Sequence, residues 1–219
     1  MNHRAEIALH QYLEKTVKGK GAISKDVASQ ISKDVYEAIL KQFGVSKPRE
    51  FKLRMSNVGR PYCQLWFEKN KPETALPKPT TFIMNMLLGD IVEAAFKGLL
   101  KEAGVQYSDS DTVKLPIGTS NINGTYDIVI DGAVDDIKSA SDWSYKHKFE
   151  SYETLKASDP FGYVGQLAGY AKASGLKVGG WWVINKANGD FKYIPASNID
   201  IEEEISKIKI THDKLKTNK

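Results

Sequence analysis

Along Gly124-Thr-Tyr-Asp-Ile-Val-Ile130 and Ala133-Val-Asp-Asp-Ile-Lys138, β-branched and aromatic residues interleave with short polar ones, and the two stretches meet at Asp131-Gly132. Runs of this kind mark strands, and Asp-Gly between two of them signals a tight antiparallel hairpin. Successive side chains leave a strand on opposite faces. Tyr126, Ile128 and Ile130 therefore share one face of the first strand, and Thr125, Asp127 and Val129 the other. Placing the apolar set in a core predicts an outward-facing Asp127. On the second strand Asp136 and Lys138 share a face, with Asp135 and Ile137 opposite and Ile137 the buried one. Regular pairing then brings Asp127, Asp136 and Lys138 onto one surface.

Elsewhere the spacing becomes helical. Leu88, Val92, Ala95 and Leu99 form an amphipathic stripe that predicts a helix over 81–103, stopped by Gly104. Asp159-Pro160 before an apolar run predicts a helix over 161–174, with aspartate as N-cap, proline in the first turn and Gly175 as the stop. Further helices are expected over 2–18, 25–43 and 56–68 and from residue 201 onward. Strands are expected at 112–118, 121–130, 133–139, 178–185 and 191–195. The order is that of an α/β core, residues 81–219 with a C-terminal helix, preceded by a helical N-terminal extension, residues 1–80, packed on it.

Composition bounds this picture. At 219 residues and 41% hydrophobic content the chain can bury one substantial core. The single cysteine, Cys63, rules out a disulfide framework and suits a reducing compartment. There is no apolar leader and no run near the ~20 apolar residues of a membrane span, so a soluble cytoplasmic protein with no membrane partner is expected. A formal charge of +4 is too mild to argue for nucleic acid. His3, His10, His147 and His212 are scattered, which gives a zinc site little support. No Gly-x-x-x-x-Gly-Lys-Ser/Thr loop occurs, so no built-in nucleotide-driven motor is expected.

Two carboxylates beside an ammonium have a chemical use. Mg²⁺ or Mn²⁺ is held by one or two carboxylates together with waters and phosphate oxygens. Such an ion activates water and stabilises charge during displacement at phosphorus, and Lys138 would position the water or help to deprotonate it. An acid-x-lysine tripeptide alone is weak: Glu50-Phe-Lys52, Asp136-Ile-Lys138 and Asp190-Phe-Lys192 all fit. Only the middle one follows a strand carrying a second acid. On the next helix Gln166 and Tyr170 are i,i+4 neighbours, with Tyr163 close to the same face.

Gly124-x-x-Asp127, Asp136-Ile-Lys138-Ser139 and Gln166-x-x-x-Tyr170 together resemble the PD-(D/E)xK nuclease superfamily, in particular its RecB-like and phage-exonuclease branch. The resemblance implies a restriction-endonuclease-like core, a mixed central sheet flanked by helices. It also implies roles: Asp127, Asp136 and the Ile137 carbonyl as metal ligands, Lys138 as catalytic lysine, and Gln166 and Tyr170 as supports of the site or contacts to the DNA backbone. An upstream acid is expected on the first core helix, where Gly89-Asp-Ile-Val-Glu93 offers Glu93, with Asp90 as rival. A fainter echo runs from Leu53 to Trp66, similar to a serine-capped helix of that branch. Relatives with an iron–sulfur cluster use four cysteines, and Cys63 alone excludes one within a single chain.

DNA contacts are expected chiefly from Trp143-Ser-Tyr-Lys-His-Lys-Phe149, read as a loop, where Trp143, Tyr145, Lys146 and Lys148 mix rings and cations after the catalytic strand. Arg54, Ser56, Arg60 and Ser139 are weaker candidates. The expected activity is a Mg²⁺- or Mn²⁺-dependent deoxyribonuclease. An exonuclease of DNA recombination, replication or repair is preferred because the resembled branch is rich in them. A phage origin, with work in the host cytoplasm, and a single-strand annealing or other recombination or replication partner follow from the same resemblance. The alternatives are a structure- or sequence-specific endonuclease of the same fold and a non-cleaving DNA-binding module.

Overall fold

The computed structural model describes residues 3–44, 50–196 and 198–217. Five strands form one mixed sheet whose spatial order follows the chain: β1 (Tyr107–Ile117), β2 (Ser120–Ile130), β3 (Ala133–Ala140), β4 (Lys177–Asn185) and β5 (Phe191–Pro195). Every neighbouring pair is antiparallel except β3 and β4, which run parallel. Parallel neighbours need a crossover, and α6 (Tyr163–Ser174) supplies it. The hairpin between β2 and β3 turns on Asp131 at φ 52° and Gly132 at φ 76°. Both residues lie in the left-handed region, as a type I′ turn requires.

Helices cover both faces. α1 (Arg4–Val17) and α4 (Thr81–Glu102) lie on one side, where Leu9, Phe96 and Leu100 meet Ile128, Ile137 and Trp182. On the other side α6, α5 (Tyr152–Ala157) and α7 (Ile201–Thr217) bring Leu167, Leu155 and Ile208 against Val134, Trp181 and Val183. The adjacent Trp181 and Trp182 point to opposite faces and are both fully buried, because β4 is an interior strand. Each fully buried aliphatic side chain, such as Leu100 or Ile128, contributes about 1.5–3 kcal/mol. α2 (Lys25–Phe43), capped by the Ser24 hydroxyl that accepts the Val27 N–H, packs along α4.

The α/β order and most elements match expectation, and the differences have local causes. The helix expected from 56 starts only at Tyr62, as α3 (Tyr62–Asn70). Residues 54–58 form a tight turn, in which the Asn57 side chain accepts the Arg54 N–H at 2.8 Å. Pro61 disfavours helical geometry at Arg60, so a helix can begin only beyond it. α6 starts two residues late, after Gly162 at φ 73°. Gly162, not Asp159, is the N-cap, although the Asp159 Oδ2 still accepts the Val164 N–H of the first turn at 2.8 Å. The segment expected as a loop after β3 contains a short π-helical turn, Ser144–Lys148, followed by α5, which Ser151 and Thr154 close reciprocally at its start. Asn2, included in the first expected helix, lies outside the described residues.

Two close approaches tie the N-terminal segment to the core. A Cβ on Gly59 would come within 2.4 Å of the Gly162 Cα, and one on Gly162 within 2.3 Å of the Gly59 Cα. The two backbones touch with no room for a methyl group. Gly162→Ala, which adds a positive φ to the clash, is expected to destabilise by about 2–4 kcal/mol in chemical denaturation; a cost below 1 kcal/mol would mean that the contact yields. Met55, fully buried, occupies the second approach, because a Cβ on either Gly124 of β2 or Gly169 of α6 would overlap its side chain. Ala5 and Leu9 belong to one core and Met55 and Val58 to the other, so the extension contributes to both. No helix among the described residues is long and apolar enough to cross a membrane.

Candidate functional site

β2 pairs with β3 only from Ile128 to Ile130. Continuing that register one step would set Asp127 opposite Asp136, but there the strands part. The Asp127 carboxylate fills the missing ladder position, its Oδ2 accepting the Ile137 N–H at 2.7 Å. β2 also changes partners at this point: Ile128 and Ile130 face the α1/α4 core, whereas Ile122 and Tyr126 join the core under α6. Asp127 is thus half-buried in a splay between two strands rather than outward-facing.

The face shared by Asp136 and Lys138 is also buried, contrary to the reading of an open surface. β3 is the middle strand with helices over both faces, and Asp136 is only 1% exposed. Its Oδ2 lies 2.5 Å from Lys138 Nζ, yet the pair lacks hydrogen-bond geometry, and that buried oxygen finds no directed donor among the described residues. The ammonium also stands 5.0 Å from the centre of the Tyr163 ring. Burial, and then the charge of Asp136, push Asp127 up to about 7. Burial raises Asp136 as well, against the pull of Lys138. Two carboxylates this close resist joint ionisation. For Lys138, burial alone would lower the ammonium, but Asp136 and then Asp127 outweigh it and hold the group above the ordinary lysine range. Lys138 is firmly a cation here.

On α6, Gln166 and Tyr170 are both buried, and the Gln166 amide donates to the Tyr170 hydroxyl at 3.0 Å. Burial and the nearby Asp136 charge raise Tyr170, so the phenol is neutral with its own proton left to donate. Glu93 approaches from α4. Burial first and Asp127 second raise its carboxyl, while Lys97 at 2.9 Å holds it down. Asp90 points elsewhere, held by Lys41 at 3.1 Å and Gln42 at 2.7 Å on α2. Of the two rival acids, Glu93 is the one that feels both Asp127 and Asp136.

The remaining candidates scatter. The Ile137 side chain faces the α1/α4 core while its N–H serves Asp127. Ser139 lies under α4, its Oγ 3.5 Å from where a Cβ on Gly89 would sit. Trp143 is exposed, and Tyr145 is half-buried with Lys192 4.2 Å from its ring. Lys146 pairs with Asp142 at 2.8 Å. Lys148 stands 4.6 Å from the rings of both Phe161 and Tyr163. Arg54 and Ser56 are exposed on the turn beside the start of β2. Arg60 pairs with Glu68 at 3.3 Å and lines a cavity of 270 Å³ with Lys156, Asp159 and Lys207.

Sequence reasoning passed over three features. Asp135, on the opposite face of β3, is buried and takes the Gly180 N–H at 2.8 Å, the Tyr193 hydroxyl at 2.9 Å and the Trp182 indole at 3.2 Å. Burial pushes it up to about 7. Lys97 bridges Glu93 and Asp109. Phe161 is an exposed ring close to the site, and the Phe-x-Tyr spacing next to Gly162 was its only signal.

Among the described residues no three histidine, cysteine, aspartate or glutamate side chains form a ready metal cage. Two neighbouring carboxylates, one with an orphaned buried oxygen, do fit Mg²⁺ or Mn²⁺, which keeps most of its shell as water and phosphate oxygens.

No protein-family model and no curated protein matches the chain. Among solved structures it is similar to an alkaline exonuclease, LHK-Exo, from Laribacter hongkongensis, with a TM-score of 0.50 and 12% identity over 84% of this chain and 93% of that one. It is also similar to the crystal structure of SSO0001, with a TM-score of 0.46 and 14% identity over 90% of this chain and 89% of that one. At such identity the likeness to the exonuclease is one of fold: a mixed five-stranded sheet flanked by helices, with further helices ahead of it.

Proposed function

We propose that the protein is a metal-dependent deoxyribonuclease, and an exonuclease by preference. The observation that carries this reading is the junction of Asp127, Asp136 and Lys138 at the β2–β3 splay, two carboxylates beside a buried ammonium. The PD-(D/E)xK-like motifs and the fold shared with an alkaline exonuclease support it.

In this reading Asp127, Asp136 and the Ile137 carbonyl would hold Mg²⁺ or Mn²⁺, with Glu93, paired with Lys97 at 2.9 Å, as the additional acid. The bound ion supplies an activated water and charge stabilisation at phosphorus. Lys138, charged and held by Asp136 and the Tyr163 ring, would orient the attacking water and donate hydrogen bonds to a phosphate oxygen without giving up its proton. Tyr170, with its hydroxyl set by Gln166, keeps a neutral donor on the α6 side of the junction. Arg54, Ser56, Arg60, Trp143 and Lys148 are proposed as contacts to the DNA backbone. Lys146, already paired, and Ser139, on the far face, are the weakest of the earlier set. Work in a cytoplasmic compartment beside a recombination or replication protein, such as a single-strand annealing protein, belongs to the same proposal.

Incubation with Mg²⁺ or Mn²⁺ on end-labelled linear DNA and on closed circular DNA tests it. Loss of the linear ends with intact circles, abolished by EDTA, is expected. Cut circles would replace the exonuclease with an endonuclease. No cutting of either form would sink catalysis and leave at most a DNA-binding module.

A further inference from the structure

Three aromatic rings climb from the core to the surface beside Lys138. Phe149, at 3% exposure, lies 5.8 Å and 26° from Tyr163, and Tyr163 lies 5.6 Å and 22° from Phe161, which is 54% exposed. The row is flanked by two ammonium groups. Lys138 stands 5.0 Å from the Tyr163 ring, and Lys148 stands 4.6 Å from both Tyr163 and Phe161. A singly exposed apolar side chain is ordinary on a protein surface. This one is the open end of a near-parallel stack that starts in the core and passes the buried ammonium of the site.

The backbone that carries Phe161 is held on both sides. It precedes Gly162, whose backbone is locked against Gly59, and it follows Asp159, whose carboxylate accepts the Val164 N–H. An aromatic ring with few rotatable bonds on such a backbone loses little conformational freedom when a planar partner stacks on it. A lysine beside the stack matches the phosphate that accompanies each base.

We propose that Phe161 is a stacking platform for an unpaired nucleobase of the strand being cut, with Lys148 holding the adjoining phosphate. This rests on the nuclease reading above and narrows its substrate to DNA that is single-stranded or frayed next to the scissile bond. A base inside a duplex has both faces covered by its neighbours, whereas an unpaired base offers a free face to an aromatic side chain.

Short single-stranded oligonucleotides with 2-aminopurine at successive positions, bound in Ca²⁺ to the wild type, Phe161→Ala and Phe161→Trp, test the proposal. The wild type and Phe161→Trp should quench the fluorophore strongly at one position. Phe161→Ala should lose that quenching and bind the single strand about 5–100-fold more weakly, with its melting temperature and its affinity for a blunt duplex held near wild type. The proposal is overturned if Phe161→Ala leaves quenching and affinity unchanged, if it weakens single strand and duplex equally, or if the wild type does not bind the oligonucleotide. Phe161-dependent quenching by a protein that cuts no DNA would uphold the platform and sink the nuclease reading. Cleavage with indifference to Phe161→Ala would do the reverse.

Discussion

Lys138→Ala is expected to lower Mg²⁺-dependent cleavage by about 10²–10⁴-fold while leaving metal and DNA binding in place. The lysine is embedded rather than dangling: its ammonium lies 2.5 Å from Asp136 and 5.0 Å from the Tyr163 ring, and the carboxylates hold it charged. In the proposed reaction it would therefore act as a cation and hydrogen-bond donor, not as a free amine. Removing it makes the junction more negative, which favours a divalent ion, so the melting temperature should still rise on adding Mg²⁺. The metal-free protein should unfold earlier than wild type, because two buried carboxylates then face each other without a counter-charge. Single-turnover cleavage of end-labelled DNA, run beside thermal melts with and without Mg²⁺, gives all three readouts. Cleavage at the wild-type rate would show that another group performs the task.

Asp127→Asn should separate function from stability in the opposite sense. An amide oxygen can still accept the Ile137 N–H that Asp127 takes at 2.7 Å, so the splay should persist. The variant loses one of two like charges and one oxygen proposed to bind the metal. Cleavage should vanish and Mg²⁺ should no longer raise the melting temperature, whereas the metal-free variant at pH 8 should melt several degrees above the metal-free parent. A parent with Mg²⁺ at 100 times its dissociation constant gains about 2.7 kcal/mol, which the variant should lack.

The pH dependence has the same origin. Asp127 and Asp135 both sit at about 7 in the folded chain, against an unfolded value of about 3.9. Below pH 4 both states are protonated. Between there and 7 the folded state keeps protons that the unfolded chain has lost, so metal-free stability falls as pH rises through this window and levels off above it. Asp127→Asn should flatten the part due to Asp127 and leave that of Asp135. Equal melting temperatures for parent and variant across the window, or an unchanged Mg²⁺ response, would rule out this account.

The hairpin and α6 were legible because their signals are local. Asp131-Gly132 has one favoured geometry, and Gln166 and Tyr170 are neighbours on any helix. The burial of the Asp136 face was not legible, because it depends on β4 pairing in parallel from across a crossover, and no short-range pattern encodes that partner. Asp135 was invisible for the same reason: its donors at 180, 182 and 193 gather only when β4 and β5 are in place. The serine-started helix at 56 failed where Pro61 and the Gly59–Gly162 contact overrode it. Glu93 and Asp90 could not be separated until α2 brought Lys41 and Gln42 to claim Asp90.

The placement of Met55 bears on how the chain can be divided. By composition, residues 69–79, rich in lysine and proline, look like a seam between two separable parts. Yet Met55 fills the space left by Gly124, in the motif that carries Asp127, and by Gly169, in the helix that carries Tyr170. A fragment starting at Thr81 would therefore have a hole beneath the very residues it was meant to isolate. The stretch 69–79 is a detour on the surface, and the smallest piece of this protein with that packing intact must begin before Met55.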